Sequence, residues 1–306
     1  MTTMMEAKSD DPVYMAREAL KKHFQTYPAG DPRNTVLNED LIKGLKSLTR
    51  EELYDWYKTA VSAEHGAIAI VGEFDPAAVK AALEKLYGNA KKVDAKYAYE
   101  RYFGEYKPVA AERIVIDAPS KENAVIVARV DFAASVNDED AAALVVADWI
   151  LGGGTGLSNR LVDRLRQKEG LSYGVGSHVK LPQFGNRSSW MMSAIVAPQN
   201  LPKAEVCAKE EIERAVKEGF TDQEVKEAIK GILDSRAVNR AQDDYLAQSW
   251  LQFMEAGKTF AFSKQFEERI AAVTVDSVNA ALRRMVVPEN VTWILSGDLA
   301  KAGIKK

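Results

Sequence analysis

The three histidines of the chain are the first residues to test for metal chemistry. His23, His65 and His178 each stand alone, and none completes the spacing HxxEH or HExxH. Those spacings place two imidazoles and a carboxylate on one helical face, as a catalytic zinc ion requires. The single cysteine, Cys207, can form neither an intrachain disulfide nor a soft metal site by itself. The sequence therefore predicts no metal site in this chain.

A glycine-rich segment follows a predicted helix. It contains four glycines, Gly152, Gly153, Gly154 and Gly156. A phosphate-binding loop would follow a strand and would have Lys and then Ser or Thr after its last glycine, whereas Leu157 stands here. We therefore interpret the segment as a structural loop, in which the glycines end a helix at Leu151 in left-handed geometry and Ser158 caps the next helix.

Arg166 and Tyr173 lie seven residues apart on either side of a predicted turn between a helix and a strand. A guanidinium and a phenol brought together by this turn can both donate hydrogen bonds to a peptide carbonyl. An arginine near a tyrosine can equally form a structural pair. The chemistry of the two side chains leaves both interpretations open.

The composition excludes several classes of protein. Lys and Arg number 41 against 44 Asp and Glu, so a net charge of −3 offers no basic surface for nucleic acid. The longest apolar stretch, 141–151, is about half of the ~20 residues that a membrane-spanning helix needs, so no span is predicted. The first residues lack the apolar core of a secretory signal. We expect either an intracellular protein or a piece of a longer chain.

Hydrophobic periodicity predicts helices and strands in separate groups, which favours an α+β fold with an antiparallel-rich sheet covered by helices. Helices are predicted at 13–25, 40–47, 50–59, 76–87, 138–151, 158–167, 201–217, 221–255 with interruptions, 263–271 and after Thr274. Strands are predicted at 67–71, 113–116, 124–132, 173–180, 188–197 and 291–295.

An internal repeat suggests how these elements are grouped. Thr49 and Thr274 each cap a predicted helix, and each is followed by an apolar strand that ends at a glycine, Gly72 or Gly297. The two copies are offset by 225 residues, so two whole modules cannot fit in 306 residues. We therefore predict that 1–95 is the latter half of one module, 96–111 a linker and 112–306 a complete second module.

Two neighbouring segments carry a resemblance to a known family. Residues 151–161 (LGGGTGLSNRL) and 165–177 (LRQKEGLSYGVGS) resemble the last module of the insulinase/pitrilysin family of zinc metallopeptidases. One departure is Asn159, which separates Ser158 from Arg160 where many members have Ser and Arg adjacent. Weaker similarity extends over 11–298 and includes 27–33 (YPAGDPR) and 70–75 (IVGEFD).

The resemblance implies a pair of related α+β modules in which only the other module carries the zinc motif HxxEH. In this chain the corresponding positions fall near Val145, Asp148 and Trp149, which cannot hold zinc. The family's C-terminal half supplies an Arg and a Tyr that hold the substrate backbone, and these match Arg166 and Tyr173.

The resemblance thus implies a non-catalytic part of a zinc metalloendopeptidase, which forms chamber wall and peptide contacts while a zinc-bearing module performs hydrolysis. That module would be in the same polypeptide or in a partner subunit, and this chain alone would be inactive. The alternative is a scaffold module of the same fold with no role in proteolysis, like the core subunits of respiratory complexes. The sequence leaves open whether the parent has two or four modules, and whether a bacterial periplasm or cytoplasm is its compartment.

Overall fold

The computed structural model describes residues 2–63, 66–90, 101–154 and 159–305, and its central element is a five-stranded sheet. The strands are β1 (Arg113–Asp117), β2 (Ala124–Ala133), β3 (Ser172–Lys180), β4 (Arg187–Val196) and β5 (Thr292–Gly297). Their order across the sheet is β1-β5-β2-β4-β3; β1 pairs with β5 in parallel and all other pairs are antiparallel. The predicted α+β class with an antiparallel-rich sheet is confirmed.

Helices occupy most of the remaining described chain. They are α1 (Thr2–Ala7), α2 (Pro12–His23), α3 (Asn38–Ser47), α4 (Arg50–Ala60), α5 (Pro76–Tyr87), α6 (Ala141–Asp148), α7 (Arg160–Val162), α8 (Leu201–Glu218), α9 (Asp222–Asn239), α10 (Asp243–Glu255), α11 (Phe260–Ala272), α12 (Val275–Met285) and α13 (Leu299–Ala302). Two of them continue as wider π-helical turns, α6 into Trp149–Gly153 and α7 into Asp163–Lys168. Among the described residues, no helix is both long and apolar enough to span a bilayer.

One face of the sheet is covered by helices and forms the main core. Strand β4 alternates between buried and more exposed residues, and Trp190, Met192 and Ala194 lie on the buried side. They belong to the same apolar cluster as Leu144 of α6 and Leu282 of α12. A period of two in a strand places alternate side chains on one face, so these three side chains of β4 face the helices.

The opposite face of the sheet is only partly covered. Leu20 of α2 and Phe24 just after it pack against Val125 and Val127 of β2 in a second, smaller apolar cluster. The side of the sheet formed by β3 and β4 lies beyond this cluster, and Ile195 of β4 is exposed there. The sheet therefore presents an open surface next to its edge strand β3.

The strand predicted at 67–71 is wrong, although its counterpart in the repeat is correct. Residues 66–71 form no strand, and Ile68 and Ile70 are exposed. In the second copy, β5 lies between β1 and β2 and is buried throughout. A strand needs neighbours that satisfy its backbone N–H and C=O groups, and 66–71 has no such neighbour among the described residues.

The first copy of the repeat nevertheless begins as predicted. Thr49 caps α4 with a capping box, in which its hydroxyl accepts from Glu52 N and the Glu52 carboxylate accepts from Thr49 N. No residue of α3, α4 or α5 is buried. Exposed apolar side chains in and near these helices include Leu53, Trp56, Tyr57, Phe74, Leu86 and Tyr87. The local sequence fixes these helices, and their apolar side chains remain open to contacts.

Candidate functional site

The helix that carries Arg166 begins beside the glycine-rich segment. Asn159 caps it, because the side-chain Oδ1 accepts a hydrogen bond from Val162 N over 2.9 Å. The same buried amide donates to the Gly154 carbonyl over 3.3 Å. The predicted cap at Ser158 is wrong, since the helix begins one residue later than predicted; Ser158 itself lies outside the described residues. Asn159, which interrupts the family pattern, thus has a defined structural role.

A tight turn connects this helix to the edge strand β3. Leu171 N donates to the Leu165 carbonyl over 2.8 Å, and Gly170 takes the left-handed conformation with φ +63°. Glycine adopts this backbone conformation without a steric penalty. Arg166 is the residue directly after Leu165, and Tyr173 lies two residues after Leu171. Arg166 therefore lies at the end of the helix and Tyr173 at the start of the edge strand, on either side of the turn.

Tyr173 occupies an irregular position in that strand. The pairing of β3 with β4 shifts between Ser172 and Gly174, so that Tyr173 is the extra residue of a β-bulge. The Ser172 hydroxyl donates to the Gly174 carbonyl over 2.7 Å and also lies 3.0 Å from the Ile195 carbonyl, which holds the bulge. Bulges redirect a side chain away from its ordinary face. The Tyr173 side chain is 68% exposed.

Arg166 differs from the other two arginines of its helix. Arg160 binds the Glu224 carboxylate through Nε at 2.7 Å and the Gly219 carbonyl through Nη2 at 2.8 Å. Arg164 binds the carboxylates of Glu169 and Glu210. Arg166 is exposed and has no hydrogen-bond or ion-pair partner among the described residues.

The Tyr173 hydroxyl also has no hydrogen-bond partner among the described residues, and no hydrogen bond joins it to Arg166. The structural Arg–Tyr pair that the sequence left open is therefore not formed between these two residues. Their donors, a guanidinium and a phenol, are available to an external acceptor such as a peptide carbonyl.

The glycine-rich segment has a different explanation from the one the sequence suggested. Within the described chain, Gly152, Gly153 and Gly154 do not adopt positive φ; Trp149–Gly153 is a π-helical turn, and Gly154 is extended. A Cβ at Gly152 would lie 2.7 Å from Ser177 Oγ, and one at Gly153 would overlap the Asp148 carboxylate. These glycines allow close packing against β3 and α6, so the prediction of left-handed geometry is wrong. Gly156 lies outside the described residues.

Asp148 occupies the position that the resemblance matches to the zinc-bearing helix, and its surroundings do not fit a metal. Its carboxylate is buried and accepts hydrogen bonds from Ser177 Oγ (2.6 Å), Val179 N (3.0 Å) and Trp190 Nε1 (3.0 Å). Burial raises the pKa of this carboxyl, although the three hydrogen bonds oppose the shift. Both oxygens are already used to join α6 to the sheet.

The neighbouring residues also argue against a metal. Val145 and Trp149, the other two positions, offer no metal ligand. Across the described parts of the chain, no three His, Cys, Asp or Glu side chains form a cluster that could hold a metal ion. Zinc therefore does not fit the residues that stand at the catalytic positions.

A second polar cluster lies at the far end of β3 and was missed by the sequence analysis. Asp131 of β2 is buried, and it accepts from Arg129 Nε at 2.7 Å and from Arg187 Nε at 2.8 Å. The sequence does contain a signal for this cluster. Alternate residues of a strand lie on one face, so Arg129 and Asp131 lie on the same face of β2 as Val125 and Val127. Two charged residues in an otherwise apolar strand indicate that this face of the sheet becomes polar toward the C-terminal end of the strand.

Comparison with known proteins identifies the fold family. The model of the peptidase M16 inactive domain matches residues 47–232. An uncharacterized zinc protease of Streptomyces coelicolor is 27% identical over 255 residues, which cover 79% of this chain and 52% of that protein. A non-peptidase homolog of Helicobacter pylori is 21% identical over 204 residues, covering 67% of this chain and 46% of that protein. The chain thus spans about half the length of the curated relatives it matches.

A solved structure agrees with the family model. The crystal structure of a peptidase M16 inactive domain from Pseudomonas fluorescens superposes with a TM-score of 0.77 at 20% identity, covering 97% of this chain and 68% of that chain. This likeness confirms the fold. Together with the family model, which matches more than half of the residues, it confirms the resemblance carried by 151–177: the chain belongs to the peptidase M16 family of zinc proteases, as an inactive domain.

Proposed function

We propose that this chain is the non-catalytic part of a zinc-dependent metalloendopeptidase, in which it forms chamber wall and holds the backbone of the peptide substrate. The observation that carries the proposal is the pair of exposed donors without described partners, Arg166 at the end of its helix and Tyr173 at the start of the edge strand β3. A structural role would ordinarily consume such donors in hydrogen bonds or ion pairs. Two exposed donors on either side of one turn are instead suited to bind an acceptor supplied by a ligand.

The chemistry of the two residues is complementary. The Arg166 guanidinium has five N–H donors in a planar fork and can bridge neighbouring carbonyl oxygens, while the Tyr173 hydroxyl can donate to a single oxygen. Neither group attacks the peptide bond. In this proposal both orient the peptide and stabilise charge that develops on its carbonyl oxygen, while another module supplies the zinc ion and the general base.

The exposed apolar surface of the first part of the chain supports a partner module. We define this surface by residues 48–87, which carry exposed Leu53, Trp56, Tyr57, Ile68, Ile70 and Leu86. Isolated apolar side chains are ordinary on protein surfaces, but several exposed ones within and between helices that bury no residue favour an interface. The proposal is that 1–95 completes a module whose other half lies in the catalytic partner, in the same polypeptide or in another subunit.

The alternative is a scaffold module that takes no part in proteolysis. The relative from Helicobacter pylori carries the name of a non-peptidase homolog, which keeps this alternative open. The two functions differ in what they require of Arg166 and Tyr173. A scaffold has no use for unpartnered donors at a strand edge, so substitution there would leave its function unchanged.

The test is kinetic and uses the chain assembled with its zinc-bearing module. Tyr173→Phe removes one hydroxyl and keeps the ring, and Arg166→Ala removes the guanidinium. We expect either substitution to lower kcat/KM on an unstructured peptide by on the order of 10²–10³ with unchanged melting temperature and zinc content. Arg166→Lys should rescue little, because an ammonium group lacks the planar fork.

A matched control is Tyr245→Phe, because Tyr245 is a partly exposed residue of α10 whose hydroxyl has no hydrogen-bond partner among the described residues. It should leave kcat/KM unchanged. Wild-type activity in both the Tyr173 and Arg166 variants would reject the substrate contact and favour the scaffold.

A further inference from the structure

A cavity of about 320 Å³ lies between the C-terminal end of α2 and the open face of the sheet. Its floor is formed by strand residues, among them Arg129, Lys180 and Ser189, and its wall by Lys21 and Phe24. It lies at the opposite end of β3 from Tyr173. Seven residues of strand separate Lys180 from Tyr173, which corresponds to about 23 Å. The cavity is therefore separate from the position of Tyr173.

The cavity is strongly basic. Its lining includes five cationic side chains, Lys21, Arg33, Arg129, Lys180 and Arg187. Three carboxylates contact them: Glu18 binds Lys21, Asp31 binds Arg33, and Asp131 binds Arg129 and Arg187. Five cations and three carboxylates leave a net charge of about +2, and Lys180 is the one cation of the five that contacts no carboxylate among the described residues. Positive charges lining a concave site with low-dielectric walls raise the local concentration of anions.

Several donors on the cavity floor have no partner. Asp131, Ser189 and Lys180 are opposite one another across β2, β4 and β3, so their side chains lie on one face of the sheet. The Ser189 hydroxyl and the Lys180 ammonium group form no hydrogen bond with any described residue. Arg129 uses only Nε, toward Asp131, and its two Nη groups are also unpartnered within the described chain.

The arginines of the floor are held in place before any ligand arrives. The Arg129 guanidinium stacks on the Phe24 ring at 4.3 Å, while Asp131 fixes its Nε. Arg187 binds the other oxygen of Asp131, and its Nη2 donates to the Phe24 carbonyl over 2.6 Å. Fixed donors lose little conformational entropy on binding, which is the main benefit of preorganisation.

We propose that this cavity binds a carboxylate of a peptide, with Arg129, Ser189 and Lys180 as its donors. An oxyanion accepts charge-assisted hydrogen bonds from guanidinium and ammonium groups, and these are stronger than bonds between neutral groups. The ligand class is an acidic peptide, and the carboxylate belongs either to a Glu or Asp side chain or to the C-terminus. The choice of a peptide as ligand rests on the proposed function. A peptide that reaches both the cavity and Tyr173 must extend over about seven residues.

The binding experiment uses the purified 306-residue chain and a fluorescent, unstructured peptide rich in glutamate. Three matched peptides accompany it: one with every glutamate replaced by glutamine, one with an amidated C-terminus, and one with both changes. We expect the glutamate peptide to bind at least tenfold more tightly than the fully neutral one. Loss of affinity on amidation alone would assign the cavity to the C-terminal carboxylate, and loss on the glutamine change alone to a side chain.

Variants of the floor locate the site. Lys180→Gln and Ser189→Ala alter side chains without partners, so both should fold normally, and each should weaken binding of the glutamate peptide about three- to tenfold. Lys180→Glu should weaken it further. Lys217→Gln and Lys217→Glu are the matched controls, because Lys217 is exposed on α8 and has no described partner; both should bind as the wild type.

Two results would overturn the proposal. Equal affinity for the glutamate and neutral peptides would exclude recognition of a carboxylate. Equal weakening by Lys180→Glu and Lys217→Glu would mean that only the general charge of the protein matters. These outcomes are independent of the kinetic test of Arg166 and Tyr173: the chain can bind the acidic peptide even if those two residues prove irrelevant to turnover, and turnover can depend on them even if the cavity binds no carboxylate.

Discussion

The indole Nε1 of Trp190 donates a hydrogen bond over 3.0 Å to Oδ1 of Asp148, and so joins the buried side of β4 to the end of α6. Asp148 also accepts from Ser177 and from the backbone of Val179 in β3. One buried carboxylate thus connects a helix to two strands. The resemblance matches this region to a zinc-bearing helix, and here its carboxylate serves as a structural hydrogen-bond hub.

Asp148→Ala should strongly destabilise the fold. The substitution leaves three donors without an acceptor, two of them buried, and each unsatisfied buried donor costs about 1–3 kcal/mol. We expect the free energy of unfolding to fall by about 3–5 kcal/mol, measured by urea denaturation. Asp148→Asn should cost less, because its amide oxygen still accepts and it removes a buried charge. Equal stability of the Ala variant and the wild type would contradict a structural role for the Asp148 carboxylate.

Gly153→Ala should also destabilise, for a steric reason. A Cβ at this position would overlap the Asp148 carboxylate, which is held by its three donors and cannot easily move. We expect a loss of about 1–3 kcal/mol in the same assay. Gly44→Ala is the control, because Gly44 lies within α3 and a Cβ there meets no atom within 4 Å. It should raise stability by up to about 1 kcal/mol through helix propensity.

Glu224 should make the stability of the chain depend on acid pH. Burial opposes ionisation of Glu224, but hydrogen bonds from Arg160 and Thr221 outweigh it and lower its pKa from 4.5 to about 2. A carboxyl with a lowered pKa in the folded state stabilises the fold above its unfolded pKa, and this contribution is lost as the pH falls. The free energy of unfolding should therefore decrease between about pH 4.5 and about pH 2.

The variant Glu224→Gln tests this assignment. It should be less stable than the wild type at neutral pH and should show a shallower decrease of stability over the same acid range. Glu213→Gln, an exposed residue of α8 without a described partner, should reproduce the wild-type profile. Parallel profiles for Glu224→Gln and the wild type would show that another carboxyl dominates.

Zinc should be absent from the purified chain. Asp148 is saturated by protein donors, and the described residues contain no cluster of candidate ligands. Metal analysis should find much less than one zinc per chain, and the chain alone should cleave no unstructured peptide. One tightly held zinc, or an activity that a chelator removes, would contradict the proposal that hydrolysis belongs to another module.

The first part of the chain should be less protected than the second. Helices α3, α4 and α5 contain no buried residue, whereas β2, β4 and β5 are buried throughout or on alternate positions. Local opening is easiest where few apolar contacts hold an element. Limited proteolysis should therefore cleave within 38–90 first and leave a resistant fragment near 112–305. Early cleavage inside the sheet would contradict this division.

The sequence by itself determined the features that depend on neighbouring residues. Capping boxes at Thr49 and Thr274 need only residues within one helical turn, and both are present. The apolar pattern identified β2 and β4 within one residue at their ends: β4 alternates because only one of its faces is buried, and β2 is a short, nearly continuous buried run. The glycine-rich segment and the stretch around Tyr173 were sufficient to recognise the family.

Only the tertiary structure decided the features that depend on distant partners. The apolar segment 67–71 and β5 have the same local pattern, yet only β5 has strands on both sides, so only β5 is a strand. Gly152 is required by the close approach of Ser177 in β3 rather than by its own backbone angles. Asp131 binds Arg129 of its own strand and Arg187 of β4, and the second contact depends on the register of the two strands. Interactions between residues near in sequence determine where helices begin and which segments alternate. Strand pairing and burial depend on which residues the fold brings together.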